Sequence, residues 1–250
     1  MFNRLVIIFG FTFGSIWLAV STYSYFWGKK KLIRTFKEID RANIKDCMDG
    51  DVVRIQGDLV SLDQYLTAPL SLRKCSVYTL RVSIEVDRVT TSGTGTHVKN
   101  ESAWETSKYA EIAEDFLIRC GEHFALIRTD GANLIVRSDT THDEVNYDRE
   151  KGGFLSEHEN EKRKRVLKAI GISPKQYIGV YAKNVKLEEG VLEPDESVVV
   201  LGNGKWVSRT ETNNSEYLEK LGIEKVLEIG YSDEHKLYIS DSKFLLDDVK

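Results

Sequence analysis

Residues 69–75 read Pro-Leu-Ser-Leu-Arg-Lys-Cys, and this stretch concentrates the side chains best suited to chemistry. Pro69 fixes its own φ, so Ser71 and Arg73 stand on a pre-shaped loop leading into a strand. Arg73 presents a planar fork of donors that can grip a carboxylate or phosphate at two points. Cys75 follows two cations, Arg73 and Lys74, and adjacent positive charge lowers a thiol pKa. A thiol nucleophile also needs a base and an orienting group, and no histidine motif lies near it. The bland reading is a loop that merely starts a strand, with Cys75 as a small buried side chain.

Other chemistries find less footing. His97, His123, His142, His158 and His235 are scattered, with neither HExxH nor CxxC spacing, so no metal site is expected. Gly93-Thr94-Gly95 and Gly202-Asn203-Gly204 lack the phosphate-loop pattern and read as turns. No cofactor is implied. Cys47, Cys75 and Cys120 cannot form a disulfide framework, and an odd count agrees with a reducing compartment.

The elements that must position these residues follow from the pattern of the chain. It has 250 residues, 41% hydrophobic and 30% charged, which excludes collagen-like and globally disordered classes. Lys and Arg total 35 against 39 Asp and Glu, a net charge of −4, so no general positive field exists to hold nucleic acid.

Leu5 to Trp27 is an uncharged, apolar stretch long enough to cross about 30 Å of hydrocarbon as a helix. Tyr25 and Trp27 lie at its end, where aromatic rings prefer the interface. Lys29, Lys30, Lys31, Arg34 and Lys37 follow at once and are candidate contacts to anionic lipid headgroups. The positive-inside rule then places residues 29–250 in the cytoplasm as the body of a single-pass integral membrane protein. Ala19-Val20-Ser21 resembles a signal-peptide cleavage site, but the stretch is too long and its charges lie on the wrong side. Gly10 and Gly14 form a GxxxG through which two such helices could pair as a homodimer.

Residues 1–30 are thus a transmembrane anchor and 31–48 an amphipathic juxtamembrane segment, with Leu32, Phe36 and Ile39 at helical spacing. Beyond Asp49-Gly50 the pattern is extended. In 51–60, Val53, Ile55, Gly57 and Leu59 share a face. In 76–89, Tyr78, Leu80, Val82, Ile84 and Val86 face one way, and Thr79, Arg81, Ser83, Glu85 and Asp87 the other. The return strand should contain Trp104, suited to covering a small core. Asp130-Gly131 and Asn203-Gly204 each predict a two-residue hairpin. Residues 138–165 carry 14 charges and read as a solvated loop entering a helix, with a capping box at Ser156 and Glu159 and an end near Gly171. The run Lys162–Arg165 is either an exposed helix face with local ion pairs or a second lipid contact. A short helix at 215–221 should close at Gly222, segments around 225–230 and 236–240 should pair across 231–235, and 241–249 should form a terminal helix. The expected class is mainly β, OB-like or a small barrel or sandwich with short helices, in one domain over 49–250 whose two β-rich halves are divided by the charged stretch 138–171.

The dispersed segments 49–82, Trp104, 123–136, 190–204 and 237–245, in that order, resemble the GIDE or beside-a-membrane domain of MULAN-type ubiquitin ligases, in the form found in prokaryotic relatives without a RING finger. That family's pattern runs "aPlSgrkC…y", then a Trp, an "F-x-l-x-D-x-t-G" hairpin and "E-x-x-l-x-p-G-d-x-v-x-v-l-G". The resemblance implies a β-rich domain held beside a membrane. Three cysteines cannot build a RING, so no ligase activity is carried over. Asp195 stands where the pattern has glycine, which predicts a different turn there. The expected function is a non-catalytic interaction or sensing module at the cytoplasmic face, with an unidentified protein partner. The alternatives are an enzyme centred on Arg73 and Cys75, or a module that binds anionic lipid.

Overall fold

The computed structural model describes residues 29–91, 98–144, 165–166, 168–171 and 185–246. The apolar stretch 5–27, the capping box at 156–159 and Lys162–Lys164 lie outside them. Among the described residues no helix is long and apolar enough to cross a membrane.

The architecture is mainly β, built on a closed five-stranded barrel. Its strands are β1 (Val52–Ser61), β6 (Phe116–Cys120), β7 (His123–Ile127), β11 (Ser197–Ser208) and β12 (Lys225–Gly230). They run in the order β1-β6-β7-β12-β11, and an antiparallel β1–β11 ladder from Val52↔Asn203 to Asp58↔Ser197 closes the ring. All neighbours are antiparallel except β7 and β12, which pair in parallel. Ile55, Leu59, Phe116, Ile118, Ile127, Val198, Val200 and Ile229 fill the interior and are fully buried. The interior is therefore a packed core. Gly57 permits the tightest approach in it, because a Cβ there would collide with the backbone carbonyl of Arg119 on β6.

A second sheet has the order β5-β4-β10-β9, with β4 at Val77–Thr91, β5 at Val98–Ala113, β9 at Thr140–Glu144 and β10 at Val185–Leu192. Its covered face holds Leu80, Val82 and Leu187, packed against Leu70 and Val166. A two-stranded ribbon, β2 (Leu66–Thr67) with β3 (Lys74–Cys75), encloses the loop 68–73. Two further short strands, β8 (Asn133–Ile135) and β13 (Tyr238–Ser240), pair in parallel and join the barrel through β13 and β11.

Several local expectations are corrected. Asp130-Gly131 does make a turn, closed by the Ala132 N–H to the Thr129 carbonyl at 3.0 Å, with Gly131 at φ +70°. It is not a hairpin: β7 stays in the barrel while β8 leaves to pair with β13. Asn203-Gly204 makes no turn at all and lies inside the continuous strand β11. There Gly202 and Gly204 let the strand change partners, from β1 and β13 to β12. Strands β12 and β13 both pair with β11 and not with each other. Part of the supposed solvated loop, 140–144, is a ladder strand against β10. Thr79 and Ser83, expected on a wet face, are buried, and Trp104, expected over a core, is 47% exposed on the edge strand β5.

Short helices complete the described chain: α1 (Lys29–Glu38), α2 (Ser215–Lys220) and α3 (Lys243–Leu246), with further helical residues at 165–166 and 168–169 just before Gly171. Helix α2 ends as read, with Gly222 at φ +71° donating to the Glu219 carbonyl. The juxtamembrane helix stops at Glu38, and 39–48 continues with a bridge from Arg41 to Arg54 and a single 3-10 turn at Ile44–Asp46.

Candidate functional site

The loop 68–73 is held as a compact unit. The Ala68 N–H donates to the Arg73 carbonyl and the Leu72 N–H to the Ala68 carbonyl, both at 3.0 Å. Closing so short a loop drives Leu72 to φ +62°, the left-handed region that a branched side chain seldom occupies. The fully buried Glu189 on β10 then accepts the backbone N–H groups of Leu70 at 2.6 Å and Ser71 at 2.9 Å. A buried carboxylate is tolerated only when so paired.

Arg73 does grip carboxylates, but they belong to its own chain. Its Nη1 donates to Glu193 Oε2 at 2.6 Å, its Nη2 lies 3.6 Å from Asp139 Oδ2, and its Nε donates to Ser71 Oγ at 3.2 Å. Nη2 also donates to Thr140 Oγ1 at 3.3 Å. Arg73 therefore turns onto β9 and the turn after β10 instead of reaching outward, Ser71 spends its hydroxyl on Arg73, and Pro69 is buried. Arg165 donates to the Pro69 carbonyl at 3.5 Å, so the segment 165–171 closes over the same loop.

Cys75 is fully buried. Burial, with the charges of Glu189 and Glu193, pushes its thiol up to about 12, outweighing the opposite pull of Arg73. This is the reverse of the lowering that the neighbouring cations alone suggest. Its sulfur meets backbone groups, the Leu66 carbonyl at 3.9 Å and the Ala68 N–H, and neither is a base that could activate it. The same cluster extends to Glu196 and Asp241, whose carboxyls burial raises above their ordinary range, with Asp139 adding repulsion to both. These groups lock the two sheets together.

The candidate headgroup residues lie on one short helix. Lys29, Lys30, Lys31, Arg34 and Lys37 all belong to α1, with Arg34 Nε 3.5 Å from Glu38 Oε1. The far end of α1 is pinned to the barrel. Phe36 is fully buried against Val199, Leu201 and Leu245. The buried Arg54 on β1 donates from Nη1 to the Phe36 carbonyl at 3.3 Å and from Nη2 to the Leu245 carbonyl at 3.0 Å. One guanidinium thus caps the C-terminal ends of α1 and α3, where carbonyls lack helical partners and a cation is favoured.

Sequence reasoning missed Glu189, Glu193, Asp139 and Arg54. Glu189 carried a signal, since it interrupts the apolar face Leu187, Val191 of its strand. Arg54 carried none, because it sits on the outward face of β1 and is buried only by the helices that cover it.

Elsewhere, Cys120 and His123 face each other across the β6–β7 turn beside an open groove of about 310 Å³ lined also by Asn43, Ile44 and Lys45. Among the described residues, no group of three or more His, Cys, Asp or Glu could hold a metal ion. The outer face of the second sheet exposes Trp104 and Tyr109, with the Arg81 guanidinium 5.8 Å from the centre of the Tyr109 ring. In comparisons with known proteins, no family model, no curated protein and no solved structure matches the chain.

Proposed function

We propose that this chain is a membrane-anchored, non-catalytic interaction module of the GIDE type, displayed at the cytoplasmic face. The observation that carries the reading is the β4–β5 arm. Its strands run 15 and 16 residues, far beyond what the barrel uses, and β5 presents half-exposed Trp104 and Tyr109 along a sheet edge. Exposed aromatic side chains of this kind are enriched at protein contacts.

Three further features support it. The barrel order, with the third and fifth strands parallel and the first and fourth closing the ring, is that of an OB-like barrel. Leu72 and Asp195, the two non-glycine residues with positive φ among the described residues, stand where the quoted family pattern has glycine. Finally, Phe36 and Arg54 fasten α1 to the barrel, so the body would sit close against the bilayer that 5–27 crosses, with Lys29, Lys30 and Lys31 at the headgroups. The thiol-centred enzyme reading is opposed by the burial of Cys75 and the internal pairing of Arg73.

The test is purification of the tagged full-length chain from detergent-solubilised membranes. A partner should be recovered in stoichiometric amount, and Trp104→Ala with Tyr109→Ala should release it while leaving the melting temperature unchanged. Protein that a carbonate wash strips from the membrane, or that is reproducibly recovered as a single copy with no second chain of either kind, overturns the proposal.

A further inference from the structure

We infer that one partner of the β5 edge is β5 of a second copy of this chain, paired antiparallel about a two-fold axis between Thr106 and Ser107. The inference deepens the interaction reading above by naming what the arm binds.

Strand β5 lies at the end of its sheet, with β4 as its one neighbour among the described residues. Its ladder with β4 carries one irregularity. Val82 pairs with Lys108 and Ser83 with Thr106, so Ser107 is an extra residue. The consequence is a change of face. In a regular strand, residues five apart point to opposite sides. Here the inserted residue puts Trp104 and Thr106 on the face of Tyr109 and Glu111, opposite Ser83, Arg81 and Thr79. By the same register Ala103, Glu105, Lys108 and Ala110 share the other face, and Ala110 packs on the Leu80–Val82 core.

A two-fold axis between Thr106 and Ser107 then sets Trp104 against Tyr109, Glu105 against Lys108 and Ala103 against Ala110 of the second copy. Every pair joins side chains on one face, and symmetry makes each occur twice. Aromatic pairs and opposite charges directly across a ladder are the stabilising combinations. A slip of two residues in either direction separates both the aromatic and the charged pairs, which fixes the register. Bulges and charges on an edge ordinarily deter pairing. Placed with this symmetry, they deter other strands and admit the chain's own. The contact is small compared with the roughly 1,200 Å² that stable interfaces bury, so it depends on tethering to one surface for effective concentration.

The test uses two differently tagged full-length copies, co-expressed and reconstituted in lipid nanodiscs large enough for two. Glu105→Lys in both copies, or Lys108→Glu in both, turns two attractive pairs into two repulsive ones. Each should lower co-purification of the tags about tenfold. The double swap Glu105→Lys with Lys108→Glu should restore it. Both sites are exposed at the surface, and equal melting temperatures check the fold. In a Cys120→Ser background, Trp104→Cys in one copy and Tyr109→Cys in the other should form an intermolecular disulfide well above the Trp104→Cys self-pair. Co-purification insensitive to the single swaps, as a dimer held only through Gly10 and Gly14 would give, overturns the inference. So does a double swap that fails to recover, or a disulfide yield equal in the two pairings. Recovery of a different partner without self-association would sink this inference and leave the interaction reading standing.

Discussion

At the scale of single residues, the chemistry of the 69–75 loop is spent on holding the fold. Cys75 shows the balance of effects. Two adjacent cations should activate it, yet desolvation and two nearby carboxylates win, and the thiol stands at about 12. In the folded protein at pH 8, alkylation of Cys75 by iodoacetamide should run at least about a hundredfold slower than in the urea-unfolded chain. Equal rates would show that the site opens readily. Because the folded thiol holds its proton more tightly than the unfolded one, its contribution to stability is complete below about pH 9. It is lost as pH rises toward 12, which a series of alkaline melts on wild type and Cys75→Ser would separate. Leu72 and Asp195 make the opposite case, residues tolerated in a conformation they resist. Glycine at either position should raise stability by about 1 kcal/mol, measured by urea denaturation. A loss at both positions would mean that side-chain contacts outweigh the backbone strain.

At the scale of elements, the least obvious device is the joint made by Arg54. It reaches across from β1 to the ends of two helices separated by most of the chain, α1 at the start and α3 at the end. Replacing it with Met should cost about 2 kcal/mol, because two carbonyls lose their donor in a dry site. The loss should be local. Hydrogen exchange should accelerate at 36–39 and 245–246 while the barrel amides stay protected. Uniform acceleration would show instead that the joint supports the barrel itself. Turns and strands taught a related lesson. Asp130-Gly131 has the expected turn and the wrong strand partners, and Asn203-Gly204 has strong turn composition and no turn. Glycine serves two purposes that a local reading cannot separate, reversal of the chain and close approach of backbone. At Gly202 it is the second, with Ile229 and Leu237 each 2.8 Å from where a Cβ would sit.

At the scale of the whole molecule, the halves of the chain on either side of 138–171 do not fold as two layers. The barrel takes β1, β6 and β7 from the first and β11 and β12 from the second, and the second sheet pairs β4 with β10. Neither half can bury its apolar faces alone. Tryptic cleavage within 145–164, where Lys and Arg are dense, should therefore leave two fragments that migrate together on a native sizing column and separate only in denaturant. Fragments that part under native conditions would contradict a shared barrel. The same interleaving predicts a single urea transition for the described body, since most core contacts join distant parts of the chain.

What the sequence by itself determined is local in origin. Alternation marked Val53, Ile55 and Leu59 in 51–60, and Tyr78, Leu80 and Val82 in 76–83, as buried, whereas the burial of Arg54, Thr79 and Ser83 on the other faces came from tertiary packing. The turns at Asp195 and Gly222 were marked as well. Periodicity reports the face a side chain takes, and composition reports where a chain can reverse. Only the tertiary structure decided which strand lies beside which, because barrel closure is settled by packing among segments a hundred residues apart. It also decided that Arg73 would find Glu193 and Asp139, and that Glu189 would hold the 69–71 backbone. Those carboxylates lie more than sixty residues from the loop they secure. Ion pairs of that reach exist only once the two sheets have already come together.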